Sequence, residues 1–185
     1  MIITLKDRDS VWIAINTNTT RTHVEDALLA ENLPIFRAPN TKTGIIAATG
    51  SVGSDVDYLR YCNELALSHP LTRNSILLKT IPAIKSICQR YEMTANGESV
   101  RELVIAKDDR AFIILPSFTC YEIEDFYVTG NGEDIAHGAM LYYKDLPPVE
   151  RISESFRVLE KTRRNKHFPI VIMNTMQKDR IVIET

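Results

Sequence analysis

Short runs of β-branched and apolar residues, separated by compact polar turns, open the chain. The runs at residues 2–6 and 11–16 flank the polar turn DRDS and predict a β-hairpin. Two further runs, at residues 34–37 and 44–49, surround the turn formed around Pro39 and predict a second hairpin. The first 50 residues are therefore expected to be mainly β-structure.

The first hairpin is apolar on both faces. Successive strand residues point to opposite sides, so Trp12 and Ala14 share one face while Val11, Ile13 and Ile15 share the other. A sheet with one face in water would show polar residues at every second position. This pattern instead predicts a sheet that is covered on both sides.

The rest of the chain continues in groups of two helices and several strands. Helical spacing of apolar residues predicts helices at residues 54–68 and 76–91, and Pro82 is expected to bend the second. A second helical pair is predicted from residue 133 to 143 and from Pro148 onwards. The remaining predicted strands are residues 102–107, 111–115, 119–123, 126–129, 170–174 and 180–184.

Paired helices that alternate with groups of antiparallel strands favour an α+β fold. The expected architecture is a four-layer αββα sandwich, with two sheets face to face and a helical layer on each outer side. At 185 residues, without a low-complexity linker, residues 1–185 are predicted to form a single domain.

Composition excludes several classes of function. The net charge of −2 provides no general positive field, so no nucleic-acid partner is expected. No apolar run is long enough for a membrane span, and the three cysteines lie far apart without a CxxC pair. A soluble cytoplasmic protein without cofactor or metal is therefore expected, and Cys62 and Cys88 are interpreted as buried thiols.

Several isolated polar residues are given structural interpretations. Four aspartates fall in predicted hairpin turns, where Asp is favoured by turn geometry rather than by a metal: Asp7, Asp9, Asp108 and Asp109. His137 is interpreted as a core or interface histidine beside Gly138 and Ala139. The basic residues at 161–167 are expected to complement the dipole at the end of the last helix rather than to bind phosphate.

Five segments, taken in order, resemble the proteasome β-type and HslV-type subunits of the N-terminal-nucleophile (Ntn) hydrolases. They are SVWIAIN at residues 10–16, IFRA at 35–38, GIIAATGSVGSD at 44–55, FYVTGNGEDIAHGA at 126–139 and PPVER at 147–151. No single segment is specific, but their order and spacing match along nearly the whole chain. The resemblance implies the same αββα fold and self-association into rings of six or seven subunits.

The resemblance also implies where catalytic residues would lie. Active members use an N-terminal Thr whose hydroxyl attacks a carbonyl while its α-amine accepts the proton. They add an Asp, a Lys and a Ser. The matching positions here are Met1 for Thr, Asn16 for Asp, Pro34 for Lys and Asn131 for Ser. Lys42 is no substitute for the lysine, because it lies in the turn after the predicted strand.

The leading hypothesis is therefore a catalytically inactive subunit that works in assembly, as a scaffold in a larger particle (including a viral one assembled in the cytoplasm) or beside an active paralogue. One alternative is an active Ntn-type threonine peptidase or amidohydrolase whose nucleophile has moved to Thr17, Thr19 or Thr20. Another is a peptide-binding module that retains the cleft. Its candidate lining residues are those three threonines with Gly50 and Ser51.

Overall fold

The computed structural model describes residues 1–16, 34–38, 41–49, 65, 67, 69–95, 98–99, 102–163 and 167–184. These residues form the strands β1 (Ile2–Asp7), β2 (Ser10–Asn16), β3 (Ile35–Arg37), β4 (Ile45–Ala48), β5 (Thr94–Ala95), β6 (Glu98–Ser99), β7 (Leu103–Lys107), β8 (Arg110–Ile114), β9 (Cys120–Ile123), β10 (Phe126–Thr129), β11 (Ile170–Asn174) and β12 (Ile181–Ile183). Strands β1 to β4 and β7 to β12 confirm the predicted strand order. The small hairpin β5–β6 was not predicted.

In the described part of the chain, three helices accompany the strands. Helix α1 begins as Arg73–Ser75, continues through a π-helical segment, Ile76–Thr80, and ends as Ile81–Arg90. Helices α2 (Glu133–Tyr142) and α3 (Pro148–Arg163) follow β10, and Pro148 is the first residue of its helix, as predicted. The predicted helix at residues 54–68 lies outside the described residues, apart from Leu65 and Leu67.

Helix α1 differs from the predicted helix in two ways: it begins earlier, and its hydrogen-bond pattern changes before Pro82. It begins three residues early because Thr72 caps it: the Thr72 hydroxyl accepts the N–H of Ser75 at 3.1 Å, and the Ser75 hydroxyl accepts the N–H of Thr72 at 2.8 Å. Pro82 lies two residues after the end of the π-helical segment and lacks the N–H that an α-helix needs. The helix therefore changes its hydrogen-bond pattern before the proline and continues to Arg90.

The strands form two five-stranded antiparallel sheets. One sheet, called sheet A, has the order β10-β1-β2-β11-β12, and the other, sheet B, has the order β3-β4-β7-β8-β9. In the first hairpin Ile2 pairs with Ile15 and Leu5 with Trp12, which is the predicted alternation of faces. In the described strand order the chain passes from sheet A to sheet B between β2 and β3 and returns between β9 and β10.

The layer between the two sheets is almost purely aliphatic. It contains one face of β1, β2 and β11, including Ile2, Ile13 and Val171, packed against one face of β4, β7 and β8, including Ile45 and Val104. These side chains are nearly or completely buried. Burial of apolar area at about 25 cal/mol per Å² makes this layer a main source of stability.

The outer faces of both sheets are covered by helices. On sheet B, α1 buries Ile76, Ile84 and Ile87 against β7 and β8. On sheet A, α2 and α3 bury Met140 and Phe156 against β1 and β11. This arrangement confirms the four-layer αββα sandwich and places Cys88 in the core as a buried thiol.

A buried arginine fastens the helical layer to the edge of sheet A. Arg151 on α3 donates from Nε to the carbonyl of Met140 at 2.9 Å and lies 3.7 Å from the carboxylate of Asp125. Its guanidinium stacks 5.1 Å from the centre of the Phe126 ring.

Within the described part of the chain, no helix is both long and apolar enough for a bilayer span.

Candidate functional site

The first hairpin brings the start of β1 beside the end of β2. Because Ile2 pairs with Ile15, Met1 lies next to Asn16. The α-ammonium of Met1 donates to Oδ1 of Asn16 at 2.7 Å, and the N–H of Asn16 reaches the Met1 carbonyl at 3.4 Å. Burial of this amine lowers its pKa below the usual 8.0. Two of the predicted site positions therefore touch.

Strand β10 closes the other side of Met1. Thr129 pairs with Ile2, and the chain then turns at Gly130, which has a φ of +106°. A Cβ at this position would lie 2.9 Å from the Cα of Met1. Both the positive φ and the close approach require glycine here. The predicted strand-to-helix turn is therefore also a wall of the Met1 site.

Asn131 follows in this turn and is held by the last helix. Its Oδ1 accepts from Nη1 of Arg163 at 2.7 Å, while Nη2 of the same arginine donates to Asp134 at 3.2 Å. Asn131 itself is exposed. The third predicted site position thus lies at the same end of the fold, with its side chain directed to α3.

Pro34 occupies the same end of the sandwich, on sheet B. It is buried, and its carbonyl accepts the N–H of Ala48 at 2.9 Å just before β3. Ala48 pairs with Leu103, which follows Glu102. Lys42 is exposed in the turn between β3 and β4, at the opposite end, so its exclusion from the site is supported.

Sequence reasoning missed an acidic residue between the sheets. Glu102, just before β7, accepts a hydrogen bond from the hydroxyl of Thr129 through its carboxylate. Its backbone also pairs with Thr49: the N–H of Thr49 donates to the Glu102 carbonyl at 3.0 Å. The pKa of nearby Tyr127 is raised by burial and by the charges of Glu102 and Glu133. No local pattern indicates this contact, because it joins two sheets.

His167 is the second residue that was missed. It is 6% exposed, and neither ring nitrogen has a hydrogen-bond partner among the described residues. The backbone N–H of His167 donates to Oε1 of Glu160 at 3.2 Å. Three residues later, Ile170 pairs with Asn16. The pKa of His167 is lowered by burial and then by the charge of the Met1 amine; Glu160 raises it and Arg163 lowers it.

The remaining predicted positions have mixed outcomes. Thr17, Thr19, Thr20, Gly50 and Ser51 lie outside the described residues, as does Cys62. His137 is exposed and its ring lies 4.8 Å from that of Phe126. The core alternative of its prediction is therefore wrong, and the interface alternative stays a prediction. The helix buries Ala136, Ala139 and Met140, and His137 falls outside that face.

Asp9, Asp108 and Asp109 lie in turns, as predicted, and Asp7 is the last residue of β1. Asp7 and Asp9 flank Arg8, and Asp108 and Asp109 join β7 to β8. The residues that the structure describes contain no group of three or more His, Cys, Asp or Glu that could hold a metal ion. In the predicted basic cluster, Lys161 and Arg163 are exposed in the last turn of α3, whereas His167 is buried.

A pocket of about 490 Å³ lies along the side of the sandwich, where β9 passes from sheet B to β10 in sheet A. Tyr121, Phe126 and Tyr127 line it together with the carboxylates of Glu122 and Glu124. Glu122 is paired with Arg110 at 2.6 Å, which lowers the pKa of this carboxyl group. The pocket shares Tyr127 with the region around Glu102.

Many solved protein chains have a similar fold. No protein-family model matches the sequence, and no curated protein is significantly similar to it. BPH from Thiobacillus denitrificans in complex with epoxomicin is similar over 94% of this chain and 96% of its own, with a TM-score of 0.71 at 17% identity.

Two further structures show the same architecture. Eukaryotic HslV from Trypanosoma brucei has a TM-score of 0.58 at 14% identity, over 94% of this chain and 97% of its own. Anbu, an ancestral beta-subunit from Yersinia bercovieri, has a TM-score of 0.67 at 14% identity, over 99% of this chain and 86% of its own. The chain therefore has the fold of the proteasome-like and HslV-like Ntn hydrolases.

Proposed function

We propose that this chain is a catalytically inactive proteasome/HslV-like subunit that acts through assembly into a ring or a larger particle, including a viral one. The observation that carries the proposal is the pair formed by Met1 and Asn16. The residue beside Asn16 at the start of β1 is a methionine, and its amine donates to a neutral amide at 2.7 Å.

The chemistry of the fold explains why this pair matters. Ntn hydrolysis needs a hydroxyl or thiol that attacks the amide carbon and a base that accepts its proton. The thioether of Met1 has no proton to release and is a poor nucleophile. Asn16 cannot carry the negative charge of a carboxylate, and Pro34 has no ammonium with which to lower the proton affinity of the amine.

A covalent probe tests the loss of activity. Epoxomicin is incubated with this protein and, in parallel, with Thiobacillus denitrificans BPH, whose structure contains that compound. Intact-mass spectrometry is expected to show an adduct on BPH and unchanged mass for this chain. An adduct here would contradict inactivity; if it maps to Thr17, Thr19 or Thr20, it would establish the relocated nucleophile.

Self-association is tested separately by native mass spectrometry. The protomer mass is 21.0 kDa, and a closed ring gives a discrete multiple of it. The resemblance to proteasome β-type and HslV-type subunits implies rings of six or seven subunits, so we expect this chain to self-associate. A strict monomer at micromolar concentration would contradict the proposed role in assembly.

A further inference from the structure

Strand β12 forms one edge of sheet A. Among the described strands its one neighbour is β11, with Val171 paired with Val182 and Ile172 paired with Ile181. In an antiparallel ladder, alternate residues direct their N–H and C=O groups to opposite sides of the strand. The outer side of β12 therefore presents backbone donors and acceptors on which a further strand can pair.

The sequence of β12 and its two flanking residues is complementary to itself in the antiparallel direction. Residues 180–184 read RIVIE. An antiparallel copy centred on Val182 places that valine opposite itself and Ile181 opposite Ile183. The same register places Arg180 opposite Glu184 at both ends of the pair. Opposite charges at facing positions stabilise a strand pair, whereas like charges destabilise it.

The burial of these side chains agrees with that register. Arg180, Val182 and Glu184 share one face of the strand, because successive residues alternate. Arg180 and Glu184 are exposed, and Val182 is 37% exposed. Ile181 and Ile183 lie on the other face, packed against the apolar layer between sheet A and its helices. Pairing would thus add two ion pairs around a valine contact on one face and join two apolar layers on the other.

A pocket beside this edge extends the apolar surface from the strand to the helices. Its volume is about 520 Å³, and Ile183 lines it together with Tyr143, Leu146 and Val149. Val149 belongs to the first turn of α3, and Tyr143 directly follows α2. A second copy placed along β12 therefore lies next to apolar surface of the helical layer as well as to the strand edge.

The charges also distinguish an antiparallel copy from a parallel one. A parallel copy would place Arg180 opposite Arg180 and Glu184 opposite Glu184, so that like charges face each other at both ends. The antiparallel copy pairs each of these residues with the opposite charge. The partner that matches this edge is therefore a second copy of the chain, related by a two-fold axis.

We propose that β12 is a two-fold interface at which two copies of this chain pair antiparallel and sheet A continues from one copy into the other. Val182 lies at the two-fold axis, and Arg180 of each copy pairs with Glu184 of the other. Such a contact closes on two copies and does not by itself build a ring. The inference therefore goes beyond the proposed ring or particle and does not depend on it.

Sedimentation equilibrium of the full chain, combined with charge reversal, tests the register. Pairing is expected to double the mass of the 21.0 kDa protomer, or of any ring that it forms, with a Kd of about 1 mM or less. Arg180→Glu and Glu184→Arg each place like charges at both ends of the register, and each should weaken pairing at least about fivefold. The double variant restores opposite charges and should return the Kd to within about twofold of the wild-type value.

Two controls separate this register from a general effect of charge. Arg180→Glu and Glu184→Arg change the net charge in opposite directions, so general repulsion between copies does not weaken both. Lys178→Glu reverses the same charge as Arg180→Glu at an exposed position before β12, outside the paired residues. It is expected to change the Kd by less than about twofold.

A cysteine at the two-fold axis tests the interface by a second route. Val182→Cys places two thiols at facing positions, where the Cα atoms of an antiparallel pair are about 4.5–5.5 Å apart, within the range of a disulfide. Oxidation with diamide is expected to give a covalent dimer on a nonreducing gel. Met176→Cys, at a 61% exposed position in the turn between β11 and β12, should give no more dimer than the wild type.

The proposal is overturned if the wild type shows no pairing up to about 1 mM, or if the single charge reversals leave the Kd unchanged. It is overturned equally if the double variant pairs no better than the single variants, because the two charges would then not face each other. Equal cross-linking of Val182→Cys and Met176→Cys would overturn it as well, since the contact would lack a fixed register. A ring of unchanged mass in every variant would overturn this interface and leave the proposed assembly intact.

Discussion

At the end of the sandwich away from Met1, polar side chains join the two sheets by direct hydrogen bonds. Thr175 accepts the N–H of Val11 at 3.0 Å and donates its hydroxyl to the carbonyl of Asp108. Asn174 accepts from Arg37 through its carbonyl at 2.8 Å. At the Met1 end the buried imidazole of His167 has no such bond among the described residues.

This difference separates polar groups that hold the fold together from a buried polar group whose ring nitrogens have no partner among the described residues. A buried hydroxyl with both a donor and an acceptor contributes to stability, and its removal leaves both partners unpaired. A buried polar group without partners costs stability, because the hydration that it loses is not replaced. Two residues of similar burial can therefore respond to substitution in opposite ways.

Gly130→Ala is expected to have the largest effect, because it alters the wall of the Met1 end. The substitution combines strain at a positive φ with overlap between the new Cβ and Met1, and should cost about 2–4 kcal/mol of unfolding free energy. Urea denaturation measures this loss.

Gly138→Ala is the matched control for that change. Gly138 lies inside α2, and nothing lies within 4 Å of an added Cβ. Alanine should stabilise the helix there by about 0.5–1 kcal/mol. Equal destabilisation by both substitutions would show that the approach of Gly130 to Met1 is unimportant.

Thr175→Val tests the hydrogen bonds that join the two sheets at the end away from Met1. The side chain is 1% exposed, and valine keeps its shape but removes the hydroxyl that bridges Val11 and Asp108. The expected loss is about 1–3 kcal/mol, from the two partners left unpaired in the interior. Thr119→Val, at an exposed position, should change stability by less than about 0.5 kcal/mol in the same urea experiment.

His167→Leu should change the free energy of unfolding least near neutral pH, by about 1 kcal/mol or less. The reason is that the ring makes no hydrogen bond that could be lost among the described residues. Its signature is in the pH dependence. The folded-state pKa lies below the usual 6.5, so the unfolded chain binds the proton first as the pH falls. Stability of the wild type should therefore decline below about pH 6.5.

Leucine at position 167 should make that decline shallower, because one of the groups that takes up protons on unfolding is gone. Urea unfolding of both proteins between about pH 5 and pH 7.5 measures the two slopes. Identical slopes would mean that His167 titrates in the folded protein as it does in the unfolded chain. A large loss of stability at neutral pH would mean that its ring nitrogens have partners.

Much of the fold could be predicted because its signals are local. The alternation of Val11, Ile13 and Ile15 with Trp12 and Ala14 indicates both faces of β2, and the hairpin turn fixes its register with β1. The contact of Met1 with Asn16 follows from that register alone. Two of the four family positions could thus be placed together from the sequence.

The rest of the site depends on contacts between distant segments. The bond between Thr129 and Glu102 joins residues from different sheets, and neither residue belongs to a recognisable motif. His167 follows a run of charged residues, which predicted an exposed helix end. Its burial arises from the packing of β11 beside β2, which no helical or strand periodicity within residues 161–167 encodes.

The contacts of Arg151 connect the edge of sheet A with the helices that cover it. Its side chain contacts the carbonyl of Met140 in the last turn of α2, the carboxylate of Asp125 at the corner between β9 and β10, and the ring of Phe126. A displacement of that corner, for example by a neighbouring molecule at the edge of sheet A, would disturb contacts that Arg151 makes to both α2 and α3. The edge strand β10 and the two outer helices of sheet A are thus coupled through the contacts of one side chain.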